Sequence, residues 1–393
     1  MIRELRLQNW KSYSDSTLYI DPLTFVIGTN ASGKSNLLDA FYFLSRLAKG
    51  RPIDEVAEKV RGGKDWIIKK DETQSVLSVV VSKDIDSPLY TYSISFERTK
   101  DSFIIVKETL RRNKPERDLF WTNPAENDSP VIDTRFYTGK RGHARRINLG
   151  RTSSILSQIE SLNVQKEIKE AASVLLQNLL NVFILNPIPN NMRDYTPLAS
   201  SLKEDASNVA GVLAGLDEIK KRDLESTLSK YMKNLPEEEV NKVWTELVGR
   251  FKTDAMIYCE EQWSNKEKTT IDARGMSDGT LRFLAIVVAM LTVAKGSLLI
   301  VEEVDNGLHP SRSNELVSML QEIGEQRNVD VLCTTHNPVL IDELGVEMIP
   351  FIFYIKRTGE KGSSIIEALE NKKNLAKLMA QHSIGGLMVE DKL

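Results

Sequence analysis

An apolar run from Leu23 to Ile27 opens onto Gly28-Thr29-Asn30-Ala31-Ser32-Gly33-Lys34-Ser35. Beyond it Leu37, Leu38, Phe41, Leu44 and Leu47 recur at helical spacing, until Gly50 and Pro52 stop the pattern. Strand, glycine-rich turn and helix, with G-x-x-x-x-G-K-S across the turn, give a phosphate-binding loop in the context it requires. The glycines let the backbone come close to a ligand, and the N–H groups at the helix start favour an anion. Asn30, Ala31, Ser32, Gly33 and Asn36 are therefore expected to line a nucleotide polyphosphate. Lys34 is placed to neutralise the β- and γ-phosphates, and the Ser35 hydroxyl to coordinate Mg2+. A chance match in a Gly/Ser turn is the alternative, and the flanking strand and helix weigh against it.

The 393 residues suffice for two or three packed units. No apolar stretch has the length of a membrane span; the longest, around Leu284 to Val293, reads as a core helix, so no membrane partner is expected. The start, Met1-Ile2-Arg3-Glu4, enters a strand-like pattern and is not a signal peptide. Cys259 and Cys333 are far apart and lack metal-ligand spacing, which suits buried thiols in a reducing, cytoplasmic setting. A net charge of −3 gives no overall basic character, so any nucleic-acid contact must come from a local patch.

Strand patterns dominate residues 1–150, at Leu5 to Leu7, Thr17 to Ile20, Val76 to Val81, Leu89 to Phe96 and Phe103 to Leu110. Such a set after the loop and helix suggests an antiparallel β subdomain attached to a nucleotide core. Residues 151–252 read as a helical insertion, charged and amphipathic from Lys203 to Trp244, without the heptads of a coiled coil. Residues 253–370 alternate helix (Thr280 to Val293), strand (Leu298 to Val301), helix (Ser311 to Gln326), strand (Val329 to Thr334) and strand (Phe351 to Ile355). That is the rhythm of a parallel sheet, which the strand before the phosphate loop must join. Residues 371–393 form a tail whose packing is open.

Leu298 to Val301 run straight into Glu302 and Glu303. A buried strand ending in paired carboxylates is a Walker B arrangement: the first reaches Mg2+, and the second polarises the water that attacks the γ-phosphate. Arg274-Gly275-Met276-Ser277-Asp278-Gly279-Thr280 opens the preceding helix. Ser277 and Gly279 there suit a second phosphate contact, while Ser277 or Asp278 also suits a plain N-cap. His336, in Thr334-Thr335-His336-Asn337-Pro338, follows a strand and so faces the ligand edge of a parallel sheet, within reach of a γ-phosphate; a turn histidine before proline is the bland alternative. His309 is less clear, and His143 and His382 have no partner at ligand spacing. Lys140, Arg141, Arg145, Arg146 and Arg151, with Arg111, Arg112 and Lys114, form basic clusters suited to DNA phosphates, or to a solvated face or an acidic partner.

With these motifs in this order the chain resembles the ABC-type ATPases of the SMC and RecF branch, and more narrowly its stand-alone AAA ATPases, which include the ATPase part of OLD-family nucleases. Asn9-Trp10-Lys11-Ser12-Tyr13 is similar to the segment that precedes Walker A in that branch, and Ser277 to Arg282 to its signature. Glu302 to Pro310 is similar to its Walker B and D-loop, and Thr335 to Pro338 to its H-loop. Two departures stand out: Glu302 occupies a place usually held by Asp, and Asp278 a place where transporters have Gly. The resemblance implies an α/β fold, a P-loop ABC-type ATPase with a mixed β-sheet core, an antiparallel β subdomain and an inserted helical domain.

It further implies ATP and Mg2+ as cofactors, with Lys34, Glu303 and His336 catalytic, Lys11 among the nucleotide contacts, and Ser35, Glu302 and a Q-loop glutamine at the metal. Gln158 is put first for that glutamine, ahead of Gln74. Ser277 of one subunit would close on the γ-phosphate held by Lys34 of another, so a homodimer with composite ATP sites is expected. The chain leaves no room after the ATPase for the nuclease domain of OLD proteins. A separate effector, a nuclease or toxin in bacterial phage defence, is therefore expected. A RecF-like DNA-binding ATPase is the alternative, and a module with structural ATP is disfavoured by Glu303 and His336.

Overall fold

A computed structural model describes residues 1–100, 102–124, 129–140, 142–233, 240–262, 267–359, 362–390 and 392–393; Arg141 of the expected basic cluster lies outside them. Along the chain β1 (Ile2–Trp10) and β2 (Tyr13–Tyr19) form a hairpin, and β3 (Leu23–Ile27) leads into the glycine-rich loop and α1 (Lys34–Ala48). After α2 (Ile53–Lys59) come β4 (Gln74–Val81), β5 (Tyr90–Arg98), β6 (Phe103–Arg112), β7 (Arg117–Thr122), β8 (Val131–Tyr137) and β9 (Ala144–Gly150). Then follow α3 (Lys166–Leu180), β10 (Val182–Leu185), β11 (Thr196–Pro197), α4 (Val209–Ala214), α5 (Glu218–Lys233), β12 (Val240–Val248), β13 (Asp254–Glu261) and β14 (Thr269–Asp272). The remainder is α6 (Asp278–Thr292), β15 (Leu298–Val301), α7 (Ser313–Arg327), β16 (Asp330–Thr335), α8 (Pro338–Glu343), β17 (Ile352–Thr358), β18 (Ser363–Ala368), α9 (Leu375–Met379) and α10 (Ile384–Val389).

The chain forms two compact units. One comprises Met1–Asp21, Gly28–Val182 and Phe353–Ala368; the other comprises Pro22–Ile27, Phe183–Ile352 and Leu369–Leu393. In the first, the strands run in the order β17-β18-β2-β1-β4-β5-β6-β7-β8-β9, mixed because β18 pairs with β2 in parallel while the meander from β4 to β9 is antiparallel. In the meander β4 and β8 alternate buried with partly exposed residues, the mark of a sheet with one wet face. Its core gathers Trp10, Phe43, Phe96 and Phe103, with ring centroids 5.3 Å apart for Trp10 and Phe43 and 5.0 Å for Phe43 and Phe96. Burying each such ring stabilises the unit by about 2 kcal/mol or more.

In the second unit β10, β15, β16 and β3 are neighbours in that order. β15 and β3 both flank β16 in parallel, and all are buried end to end, as strands covered on both faces must be. Val301 lies level with Cys333, and Ile27 level with Thr335, so Glu302 and His336 both follow directly on the carboxyl ends of neighbouring strands. A smaller antiparallel sheet of β11, β13, β12 and β14 completes this unit.

Residues 151–252 are not uniformly helical: α3, α4 and α5 share the stretch with β10, β11 and β12. In β12 a bulge between Val240 and Lys242 breaks strict alternation, and the buried Val240 and Val243 then stand three apart, which mimics a helix. The tail is ordered by α10, which packs on α8; Ser383 caps it and also donates from Oγ to Asp342 Oδ2 at 2.8 Å.

Candidate nucleotide-binding and hydrolysis site

The phosphate loop is held open by its backbone. Gly28 and Gly33 have φ of +151° and +126°, and a Cβ on Gly28 would meet the Ile355 carbonyl oxygen at 2.4 Å. Ala31 also takes a positive φ, 62°. The Ser32 hydroxyl is buried and has no hydrogen-bond partner, and no side chain caps α1. A buried orphan hydroxyl beside an uncapped helix start suits phosphate oxygens, which accept from both. The Lys34 ammonium is folded back onto the loop, donating to the Gly28 and Thr29 carbonyls at 2.6 and 3.0 Å. A bound polyphosphate offers it stronger, charge-assisted acceptors.

The segment from Trp10 to Tyr13 builds this loop rather than merely preceding it. Trp10 Nε1 donates to the Asn36 carbonyl at 2.7 Å, Asn36 Nδ2 to Ser12 Oγ at 2.9 Å, and Tyr13 Oη to the Gly33 carbonyl at 2.9 Å. Burial holds the Tyr13 hydroxyl far above its ordinary pKa, so it stays a donor. Lys11, expected on the nucleotide, pairs with Asp39 at 2.5 Å and donates to the Arg61 carbonyl at 2.8 Å. Lys11, Ser35, Asn36, Arg61, Lys69 and Arg357 line a cleft of about 450 Å³. Arg357 also donates to the Ala31 carbonyl at 2.8 Å, and Ser364 to that of Ser32. Neither residue carried a sequence signal, because both come from β17 and β18, far along the chain. A larger cleft, about 630 Å³ on the β5 to β7 face, shares no residue with this one.

At the carboxylate edge Glu302 is 8% exposed, and Asn186 Nδ2 lies 3.4 Å from its Oε2. Glu303 takes φ of +48°, a left-handed conformation that costs a non-glycine residue about 1 kcal/mol or more. Its N–H donates to Thr334 Oγ1 at 2.9 Å and its carbonyl accepts from Arg282 at 3.4 Å, which fixes the strained turn. The Glu303 carboxylate stands 3.7 Å from His336 Nδ1 and accepts from Asn306 Nδ2 at 3.3 Å. Thr335 Oγ1 donates to Asp305 at 2.6 Å, tying the turn after β15 to the end of β16. The structure places Glu302, Glu303 and His336 at this one edge, beside Thr334, Asp305 and Arg282. The Thr-Thr pair before His336 was the available signal for Thr334.

Ser277 does cap α6, accepting from the Thr280 N–H at 3.1 Å. Gly279 is required by close approach, since a Cβ there would meet the Gly307 carbonyl oxygen at 2.6 Å. Gln158 Nε2 is occupied by the carbonyls of Gly150, Ser153 and Ser154 at 3.2 to 3.4 Å, and Gln74 donates to Ser95. Among the described residues, Arg145 and Arg146 of the basic cluster do not share one surface. β9 alternation sends Arg146 to the face of Asp133, which it meets at 2.9 Å, and sends Arg145 to the other face, where it donates to the Asn163 carbonyl.

Residues 23–342 match the family described as "AAA domain, putative AbiEii toxin, Type IV TA system". The Smc chromosome partition protein of Fusobacterium nucleatum is 25% identical over 304 residues, covering 70% of this chain but only 24% of its own length. An ATP/GTP phosphatase of Helicobacter pylori is 24% identical over 88% of this chain and 87% of its own, and the RecF protein of Bacillus cytotoxicus 22% identical over 81% and 89%. The SMC head solved with the C-terminal winged-helix domain of ScpA superposes with a TM-score of 0.54 at 16% identity, over 93% of this chain and 97% of that one, which establishes the fold. The chain belongs to this AAA-domain family, within the ABC-type ATPases of the SMC and RecF branch. Among the described residues no helix is long and apolar enough to cross a membrane.

Proposed function

We propose that the protein binds ATP on the Gly28 to Asn36 loop and hydrolyses it to ADP and phosphate, switching between a nucleotide-closed homodimer and an open state. The observation that carries this reading is the strained Glu303, with its carboxylate 3.7 Å from His336 at the carboxyl edge of the parallel strands. In the proposed step a water oxygen bonds to the γ-phosphorus as the bond from phosphorus to the ADP oxygen breaks. Glu303 takes the water proton, His336 steadies that carboxylate and the γ-phosphate, and Lys34 offsets charge on the leaving phosphates. Ser35 and Glu302 are the residues that would hold Mg2+, which would supply positive charge against the phosphates, and the buried Ser32 hydroxyl, without a hydrogen-bond partner, fits a phosphate oxygen.

Each chain carries one phosphate loop and one signature, so Ser277 would serve the partner subunit's nucleotide. Opening after hydrolysis would gate a separate protein effector. The family description, which names a toxin system, and the SMC head that carries ScpA both support a partner protein. Glu303→Gln tests the chemistry: it is expected to bind ATP as the parent does, to accumulate as a dimer, and to lose about a hundredfold or more in turnover. Phosphate release at the parent rate would remove Glu303 from its role.

A further inference from the structure

Arg193 was not singled out by any sequence motif, yet it grips the whole approach to the signature. Its Nη1 donates to the carbonyls of Ala273, Arg274 and Met276 at 3.0, 3.0 and 2.8 Å, and its Nη2 to Asp278 Oδ1 at 2.5 Å. The side chain is 23% exposed. These acceptors surround Ser277, the N-cap of α6. Three carbonyl oxygens and a carboxylate grouped there would repel an incoming γ-phosphate; a guanidinium placed among them cancels that field and fixes the loop with a rigid fork of donors.

The same short segment reaches the Walker B edge. The Glu302 N–H donates to the Leu185 carbonyl at 3.0 Å, and Asn186 Nδ2 lies 3.4 Å from Glu302 Oε2. Between Asn186 and Arg193 the chain is fixed by Asn186 N–H to the Glu204 carbonyl at 2.8 Å and Ile188 N–H to the Asp205 carbonyl at 3.0 Å, and Met192 is buried. One strap, residues 185–193, therefore joins the metal-side carboxylate of a chain to the signature of that same chain.

We infer that Arg193 is the positioning residue of the signature loop, so that it governs hydrolysis of the nucleotide bound by the partner subunit rather than by its own. The inference rests on the composite dimer proposed above. Its polarity is what a merely structural role would not produce. Two mixed dimers separate the cases, each with a single intact phosphate loop. In the first, an Arg193→Ala chain is paired with a Lys34→Ala chain, so the intact loop meets an intact signature. In the second, a chain carrying both substitutions is paired with the parent chain, so the intact loop meets the altered signature. The first pair is expected to turn over ATP like a parent/Lys34→Ala dimer. The second is expected to fall about ten- to a hundredfold in kcat with KM for ATP nearly unchanged.

Arg193→Lys, which keeps the charge but loses the fork, is expected to show the same polarity more weakly. Ser277→Arg in place of Arg193→Ala reports on the dimer reading itself. If Ser277→Arg shows the polarity and neither Arg193 variant does, the positioning role is overturned and the composite site stands. If Ser277→Arg shows none either, both fall together.

Discussion

Lys11 and Asp39 form an ion pair almost wholly out of solvent, with side-chain exposures of 7% and 5%. Arg61, half exposed, reaches the same carboxylate at 2.9 Å. Such a pair adds little over a well-packed apolar pair, but removing one member leaves a buried charge unmatched. Asp39→Ala should therefore lower the unfolding free energy by about 3 kcal/mol, read from the urea midpoint at constant slope, with Asp39→Asn less harmful. A loss below about 1 kcal/mol would show that the Arg61 carbonyl and water suffice for Lys11. This residue also shows the limit of motif reading. The pattern Asn9 to Tyr13 marked a segment against the loop, but Trp10 and Tyr13 face inward onto α1 and the loop, Asn9 turns to Glu72, and Lys11 is spent on Asp39. A motif records which residues recur, not which of their atoms are already paired. Glu303 is the converse: its place after the Leu298 to Val301 run was legible, while its left-handed backbone depends on Thr334 and Arg282, which only the folded chain supplies.

The central parallel strands were readable from the sequence, whereas β8, β9 and β12 were not. The buried parallel strands β15 and β16 stood out because covering both faces leaves continuous apolar runs. β8 and β9 were passed over although Asp133 and Arg135, and Arg146 and Asn148, recur at the two-residue spacing of a strand with one wet face; in β9 only Ile147 and Leu149 are large and apolar. The tail hid for another reason: α10 is short, and its docking depends on glycine. A Cβ on Gly385 would meet the Pro338 carbonyl oxygen at 2.2 Å, and its N–H donates to Asp342 at 2.7 Å. Gly385→Ala should push α10 off α8 at a cost of about 1–3 kcal/mol and expose the last residues to limited proteolysis. Digestion unchanged from the parent would mean that the helix pair has slack that the close contact denies. Because α8 begins two residues after His336, with Asn337 as its N-cap, the same digestion pattern followed with and without ATP reads whether nucleotide tightens this end of the sheet.

At the scale of the molecule, electrostatics separate the two biological readings. A chain of net charge −3 needs a concentrated basic face to hold DNA. The described part of the expected cluster is dispersed instead: Arg146 and Arg135 share Asp133, Arg145 lies on the opposite face, and Arg111 is matched by Glu116 and Asp118. Paired cations release few counterions on meeting a phosphate backbone, because their charge is already compensated. Turnover should therefore change by less than about twofold on adding double-stranded DNA at physiological salt, and Arg146→Glu should leave any residual response unaltered. Light scattering on the same samples should show a dimer with ATP in the Glu303→Gln variant and a lower mass without nucleotide. Strong stimulation by DNA, lost in Arg146→Glu and steeply dependent on salt, would reverse the choice and favour a RecF-like machine. DNA-indifferent turnover with an ATP-dependent dimer would favour a protein effector as the object of the switch.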